Sequence, residues 1–412
     1  MLAVVLLALG TVLTAPVIVA SHARSAPFAV DYLAFDAAGA FVREGRAGGL
    51  YDVAAQQAAQ SARAGSAADH GVQYFEFLYP PVVAAAFAPL SALPIEQGYL
   101  LFALIVVAAL AISGGLLWRL TDDLGLVERS TFVVCALGST ATCMSLLIGQ
   151  VTPLLVLAAL GALVALRGSR PTMAGVLLGL LWMKPHFAVA ALIVALLARQ
   201  RRAAAAIVGV GATFAVVSVL IAGIDGARGY LELTRSVAGD PAALGESMRA
   251  EQNIFGFVAT VVGARGGTAL VLAQALIGVA ALGLVVRAVR TPPYEGTDRV
   301  VYVFALGAML VLIASPHVQY YDLAWLVFPA LFAVRRRSVA RTDELRRSLT
   351  GLLVLAALFV EIAAVLASAG VSVSAPGMAL LLVGLCEWPR LERLLSLDAG
   401  DTASAEPLRH AA

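Results

Sequence analysis

The sequence predicts an all-α fold: a polytopic membrane protein whose helices bundle together, with an outer loop containing short helices. Three observations carry this. Of 412 residues, 61% are hydrophobic and 13% charged, whereas a soluble domain needs roughly a quarter charged residues to cover its surface. Mean hydropathy is +0.90, and the apolar residues fall in long runs, each able to cross a hydrocarbon core of about 30 Å. The 37 Gly and 17 Pro would weaken soluble helices but are tolerated where membrane helices pack on one another.

The elements follow in chain order. Met1–Ala20 reads as a retained first helix. It lacks the basic flank of a signal peptide, and the Ala-rich stretch around Ser21–Ala26 is a poor cleavage site. Further helices are expected near 97–118, 131–148, 151–166, 172–184, 186–198, 203–223, 268–287, 299–315, 321–334, 349–369 and 374–388, giving roughly 11–13 transmembrane helices. Three long apolar stretches are interrupted by polar or Pro-containing turns: Gly149–Pro153, Lys184–His186 and Ser315–Asp322. Such breaks suit helical hairpins whose turns pack against protein or line a cavity.

Residues 1–390 form a single membrane domain with outer loops at 21–97 and 224–252, and 391–412 form a cytoplasmic tail expected to be disordered. Within the first loop, Asp36–Val42 suits a short surface helix and Ala54–Ala68 an amphipathic or mobile stretch. Val82–Leu93 suits either a re-entrant segment or the start of the second helix. With the N-terminus in the cytoplasm, most of the 28 Lys and Arg fall on the inside, as the positive-inside rule requires. The three polar turns then share the outer face.

Formal net charge is +2, too balanced for the basic face of a nucleic-acid-binding protein. Cys135, Cys143 and Cys386 have neither metal-ligand nor disulfide-framework spacing. There is no phosphate-binding loop, dinucleotide fingerprint, zinc cluster or nucleophile elbow.

Ionisable groups at membrane level mark candidate chemistry. Asp31 and Asp36 follow the first helix, where a carboxylate can act as general base on a hydroxyl or cap a short helix. Lys184, the only Lys, is followed by Pro185 and His186 within an apolar stretch. Its ammonium requires a carboxylate or phosphate partner, unless it snorkels to the headgroups. His317 sits at a second turn with Tyr320, Tyr321 and Asp322 after it, suiting either a ligand-facing turn or a structural His–Asp pair. Gln150 offers an amide at the third turn.

The ordered set of motifs resembles family-87 glycosyltransferases. Asp31-Tyr32-Leu33-Ala34-Phe35-Asp36-Ala37-Ala38-Gly39, with Gly45 and Leu50-Tyr51-Asp52, is similar to that family's first outer loop. Phe77-Leu78-Tyr79-Pro80-Pro81 looks like its aromatic-x-Tyr-Pro-Pro segment. Gly149 to Pro153, Gly175 through Lys184-Pro185-His186, and Ser315-Pro316-His317 through Tyr321-Asp322 match later landmarks. Two positions depart from many relatives: His186 stands in place of Gln, and Tyr320 in place of Asp.

The resemblance implies a GT-C type bundle and transfer of a mannose- or arabinofuranose-like sugar from a polyprenyl-phosphate donor to a lipid or glycan acceptor. It places Asp31 as catalytic base with Asp36 second, and Lys184, His186, His317, Gln150, Tyr79, Tyr321 and Asp322 at the donor phosphate or substrate. Metal ligands are not assigned. A divalent cation is compatible with the acidic residues, but a lipid monophosphate leaving group does not demand one. The expected location is a bacterial inner membrane, multi-pass, with the active site facing the periplasm and membrane lipids around it. The rival reading is a transporter or flippase of lipid-linked sugars, and a third is a non-catalytic assembly subunit.

Overall fold

The computed structural model describes residues 30–64, 74–239, 251–262, 267–290, 294–338 and 374–404, with 351, 359, 362, 366 and 372. The fold is all-α, and no strand occurs among the described residues. Its helices are α1 (Val30–Arg43), α2 (Val53–Ala64), α3 (Pro81–Phe87), α4 (Ile95–Leu120), α5 (Leu126–Leu137), α6 (Thr140–Ile148), α7 (Thr152–Arg167) and α8 (Pro171–Gly179). They continue as α9 (Pro185–Leu197), α10 (Arg201–Gly239), α11 (Ile254–Val262), α12 (Thr268–Arg290), α13 (Gly296–Ala314), α14 (Val327–Ser338) and α15 (Ser374–Ser404). Among the described residues, five helical segments are long and apolar enough to cross a membrane, and α7, α9 and Pro171–Met183 are shorter apolar helices. The expected helices at 1–20 and 349–369 lie largely or wholly outside the described residues.

Small residues let these helices approach closely, as is usual where lipid supplies no hydrophobic drive between them. The α8 face Gly175-x-x-x-Gly179 lies on α10. A Cβ at Gly175 would stand 2.3 Å from the Ala203 carbonyl oxygen, and one at Gly179 would stand 2.5 Å from Val210 Cβ. Large exposed side chains such as Leu104, Ile112, Leu220 and Leu276 face outward, where acyl chains would cover them.

The expected first outer loop is a packed layer. Its aromatic core joins Tyr32, Phe35, Phe77, Tyr79, Phe87, Tyr99 and Phe102, with Phe35 and Phe87 stacked at 4.6 Å. Helix α1 is therefore buried over 32–41, not a surface helix. Its Ala/Gly face admits α3 so closely that a Cβ at Gly39 would meet the Phe87 backbone at 2.7 Å. Asp52 accepts from the Ala55 N–H at 2.8 Å and caps α2. Val82–Leu93 forms α3 and a short 3-10 turn, separate from α4. The second expected loop also begins as helix. α10 continues through a kink at Gly223 (φ 69°, ψ −178°) and docks on this layer, Tyr230 lying 5.4 Å from Tyr51.

The bundle has two chemically distinct ends. At one, Arg335 donates to the Leu120 carbonyl at 2.6 Å and to Asp298 at 3.1 Å. There too Arg336 bonds Asp298 and Glu392, Arg337 bonds Glu128, and Arg167 bonds Asp122. Helix α15 runs on through 391–404, where a disordered tail was expected, with Glu392 held by Arg336 and by the Tyr294 hydroxyl at 2.9 Å. The other end holds the three polar turns. Helix α7 runs from Thr152 at those turns to Arg167 at the arginine end, 16 residues or about 24 Å. Apolar side chains including Leu160, Leu163, Leu306, Met309 and Phe328 fill the space between.

Candidate active site

Gly149 ends α6 in the left-handed conformation (φ 81°), which a side chain rarely adopts. A Cβ there would also strike Tyr32 Cβ at 2.4 Å. The turn aims Gln150 into the core of the site. Its Nε2 donates to Asp31 Oδ2 at 2.6 Å and to the Tyr321 hydroxyl at 3.1 Å, and its Oε1 accepts from the Tyr79 hydroxyl at 2.9 Å. One amide thus links four segments distant in sequence. Asp31 is half-buried in the first turn of α1. Tyr320 lies in its field; burial, and then the Asp31 charge, push that phenol above its ordinary value.

Lys184 precedes α9 as an extended residue, with Pro185 at the first helical position. Its ammonium lies 2.7 Å from Asp322 Oδ1, with Lys184 5% and Asp322 0% exposed. Thr152 donates to the same oxygen at 3.0 Å, and the Gln319 N–H donates to Asp322 Oδ2 at 3.2 Å in a capping box. Lys184 also stands 4.7 Å over the Tyr321 ring, an added cation–π contact. Of the two partners the sequence allowed for Lys184, the structure supplies the carboxylate. His186 lies one residue into α9 beside Lys184, and among the described residues its buried Nε2 has no hydrogen-bond partner.

Asp36 is elsewhere. Five residues after Asp31, it is 0% exposed and held by two Arg63 nitrogens, Nη2 at 2.8 Å and Nε closer still. Burial raises its carboxyl above the ordinary value, against the opposing pull of Arg63. Arg63 also donates to the Leu93 carbonyl at 3.1 Å, so this pair ties α1, α2 and the turn before α4 together.

The structure brings Asp31, Tyr79, Gln150, Tyr321, Lys184 and Asp322 into one cluster, with His186 and His317 beside it. It adds residues not singled out from sequence: Thr152, Gln319 and Glu251. Glu251 is 1% exposed and lies 2.6 Å from His317 Nδ1. A polar triplet, Glu251-Gln252-Asn253, directly before an apolar run is a helix-start signal that could have marked it. Among the described residues no group of three His, Cys, Asp or Glu is arranged to hold a metal.

The family model of glycosyltransferase family 87 matches residues 77–316, more than half of the 412 residues. The chain belongs to glycosyltransferase family 87. That places it in the GT-C superfamily of glycosyltransferases, in keeping with its helical membrane bundle. The matched family-87 region holds Tyr79, Gln150, Lys184, His186 and Pro316. Asp31, Tyr321 and Asp322 lie outside it and join it through the contacts above. No curated protein and no solved structure matches the chain.

Proposed function

We propose that this chain is an inverting transferase that moves a mannose- or arabinofuranose-like sugar from a polyprenyl-phosphate donor to a lipid-linked or cell-envelope glycan acceptor. Asp31 accepts the proton of the acceptor hydroxyl as that oxygen bonds the anomeric carbon. The bond from the anomeric carbon to the phosphate oxygen breaks, and polyprenyl phosphate leaves with the electron pair. One displacement inverts the anomeric centre, unlike a two-carboxylate double displacement. Gln150 and Tyr321 orient the base; Lys184 and His317 face the phosphate side, where positive groups count most in a water-poor site, and His186 offers a neutral imidazole beside them. Asp36, locked to Arg63, holds the layer that carries α1.

The observation that carries this reading is the Asp31–Gln150 bond of 2.6 Å, which fixes a half-buried carboxylate within a polar cluster at one end of the bundle. The arginine-rich opposite end belongs in the cytoplasm by the positive-inside rule, so the site opens to the periplasm of an inner membrane. A transporter or flippase would require polar groups along a path through the bundle. The apolar filling between the two ends favours chemistry at one face. Incubating purified protein with labelled polyprenyl-phosphate mannose or arabinofuranose and membrane lipid acceptors tests the proposal. Labelled product of inverted anomeric configuration supports it; carrier-lipid movement across vesicles without any transfer contradicts it.

A further inference from the structure

Glu251 sits against the turn that carries His317 and is stitched to it from several sides. Asn253 caps α11, its Oδ1 accepting from the Phe255 N–H at 3.0 Å. The same side chain donates to the Pro316 carbonyl at 2.7 Å. The Gln252 N–H donates to the Val318 carbonyl at 2.6 Å. The Glu251 carboxylate accepts on both oxygens: from the Val318 N–H at 2.8 Å, Gln319 Nε2 at 3.0 Å and Asn253 Nδ2 at 3.3 Å. His317 Nδ1 stands 2.6 Å from Glu251 Oε1, close enough for an ion pair with the protonated ring but without the alignment of a hydrogen bond. Glu251 is buried while the His317 side chain is 21% exposed, so the pair has a fixed inner member and an accessible outer one.

The same carboxylate that ties the segment before α11 to the 316–319 turn also lies against the His317 ring. Gln319 connects it to the rest of the site, since its backbone caps the turn through Asp322, which binds Lys184. We infer that Glu251 is a positioning residue that fixes the His317 ring and sustains its imidazolium form, so that His317 gives a charge-assisted hydrogen bond to the phosphate of the lipid-linked donor. A carboxylate beside Nδ1 favours the protonated ring electrostatically, and Nε2 is the nitrogen through which the ring would meet the phosphate, the division of roles carboxylate–histidine pairs use generally. The inference rests on the proposed donor-phosphate role of His317. Among the described residues, the charged or titratable groups around His317 include Glu251 ahead of α11 and His186 at the start of α9, with Lys184 next to His186, and Asp322 and Tyr320 on its own turn.

The test is binding of a short-chain polyprenyl monophosphate to the full-length protein in detergent, by calorimetry between pH 6 and 9. Wild-type affinity falls as pH rises through His317 deprotonation. Removing a carboxylate this close lowers a histidine's proton affinity, so Glu251→Gln moves that midpoint down by about one pH unit or more. The lipid phosphate's own ionisation is common to every variant. His317→Ala binds more weakly and loses the midpoint, and the Glu251→Gln/His317→Ala double variant binds no worse than His317→Ala. Asn253→Ala, which removes one Glu251 contact and no charge, lowers thermal stability and leaves the midpoint in place. An unmoved midpoint in folded Glu251→Gln, additive losses in the double variant, or no wild-type binding at any pH overturns the inference. Should Glu251→Gln not fold, Glu251→Asp replaces it; its shorter reach moves the midpoint the same way by less, and an unmoved midpoint again overturns the inference. Lipid-phosphate binding that shifts as described, with no sugar transfer by wild type, sinks the transferase reading and leaves the Glu251 role standing.

Discussion

Replacing Lys184 removes the cation of a buried pair whose two members are 5% and 0% exposed and 2.7 Å apart. Without it, among the described residues Asp322 keeps only the Thr152 hydroxyl and the Gln319 N–H, neither of them charged. Breaking such a pair from one side destabilises by about 3–5 kcal/mol, because the remaining charge stays buried. Lys184→Met is expected near the lower end, since two donors still reach Asp322. Asp322→Asn is expected near the upper end, since among the described residues the stranded ammonium keeps only the Thr152 hydroxyl, at 3.4 Å, as a hydrogen-bond partner. Removing both charges in Lys184→Met/Asp322→Asn should recover about 2 kcal/mol or more relative to the sum of the singles. The assay is reversible unfolding in mixed micelles, with sugar transfer measured in parallel. Lys184→Glu, which sets a second carboxylate beside Asp322, should lose more stability and activity than Lys184→Ala, and Lys184→Arg should recover part of the activity. Single variants within about 0.5 kcal/mol of wild type, with additive effects in the double variant, would refute the view that this pair anchors the α9 turn to the 320–326 turn.

Other outcomes follow from the same contacts. Arg63→Ala strands the buried Asp36 and should destabilise by about 3–5 kcal/mol; per folded molecule, its transfer rate should stay within a few-fold of wild type, and a rate collapse with unchanged unfolding would reassign Asp36 to chemistry. Gly149→Ala combines a positive φ with a clash at Tyr32, so it should lower the unfolding midpoint and activity together; wild-type values for both would show that the turn adapts. Gly48→Cys, on an exposed turn, should react with an impermeant thiol reagent on intact cells, and labelling only after permeabilisation would reverse the orientation.

Much of the bundle was legible because polar residues inside apolar runs are few, and each marks a turn. Gly149–Pro153, Lys184–His186 and Ser315–Asp322 stood out in this way, and all three meet in the site. What stayed hidden depends on contacts between distant segments. Among the described residues, Lys184 meets its carboxylate 138 residues away and Asp31 meets the Gln150 amide 119 away. Nothing local shows that Gln150 will satisfy a carboxylate and two phenols at once. Asp36 and Asp31 looked alike in sequence, yet on a helix they point about 140° apart, one to Arg63 and one to Gln150. Helix α1 read as a surface element because its Ala and Gly residues carry little hydropathy, whereas their small size is what allows burial against α3. Glu251 lies in a stretch whose sequence reads as an outer loop, where acidic residues are ordinary.

The most direct test of the account is the initial rate of sugar transfer by Asp31→Asn and Asp36→Asn at saturating donor, with thermal unfolding measured alongside. Asn at position 31 retains shape and hydrogen bonding but does not serve as a proton acceptor at working pH. Turnover should therefore fall by at least about 10²-fold while donor binding and unfolding stay close to wild type. Asp36→Asn should instead weaken the Arg63 bond and lower stability, with a smaller loss of rate. Near wild-type turnover in Asp31→Asn, together with abolished turnover in a well-folded Asp36→Asn, would contradict the account and move the base to Asp36.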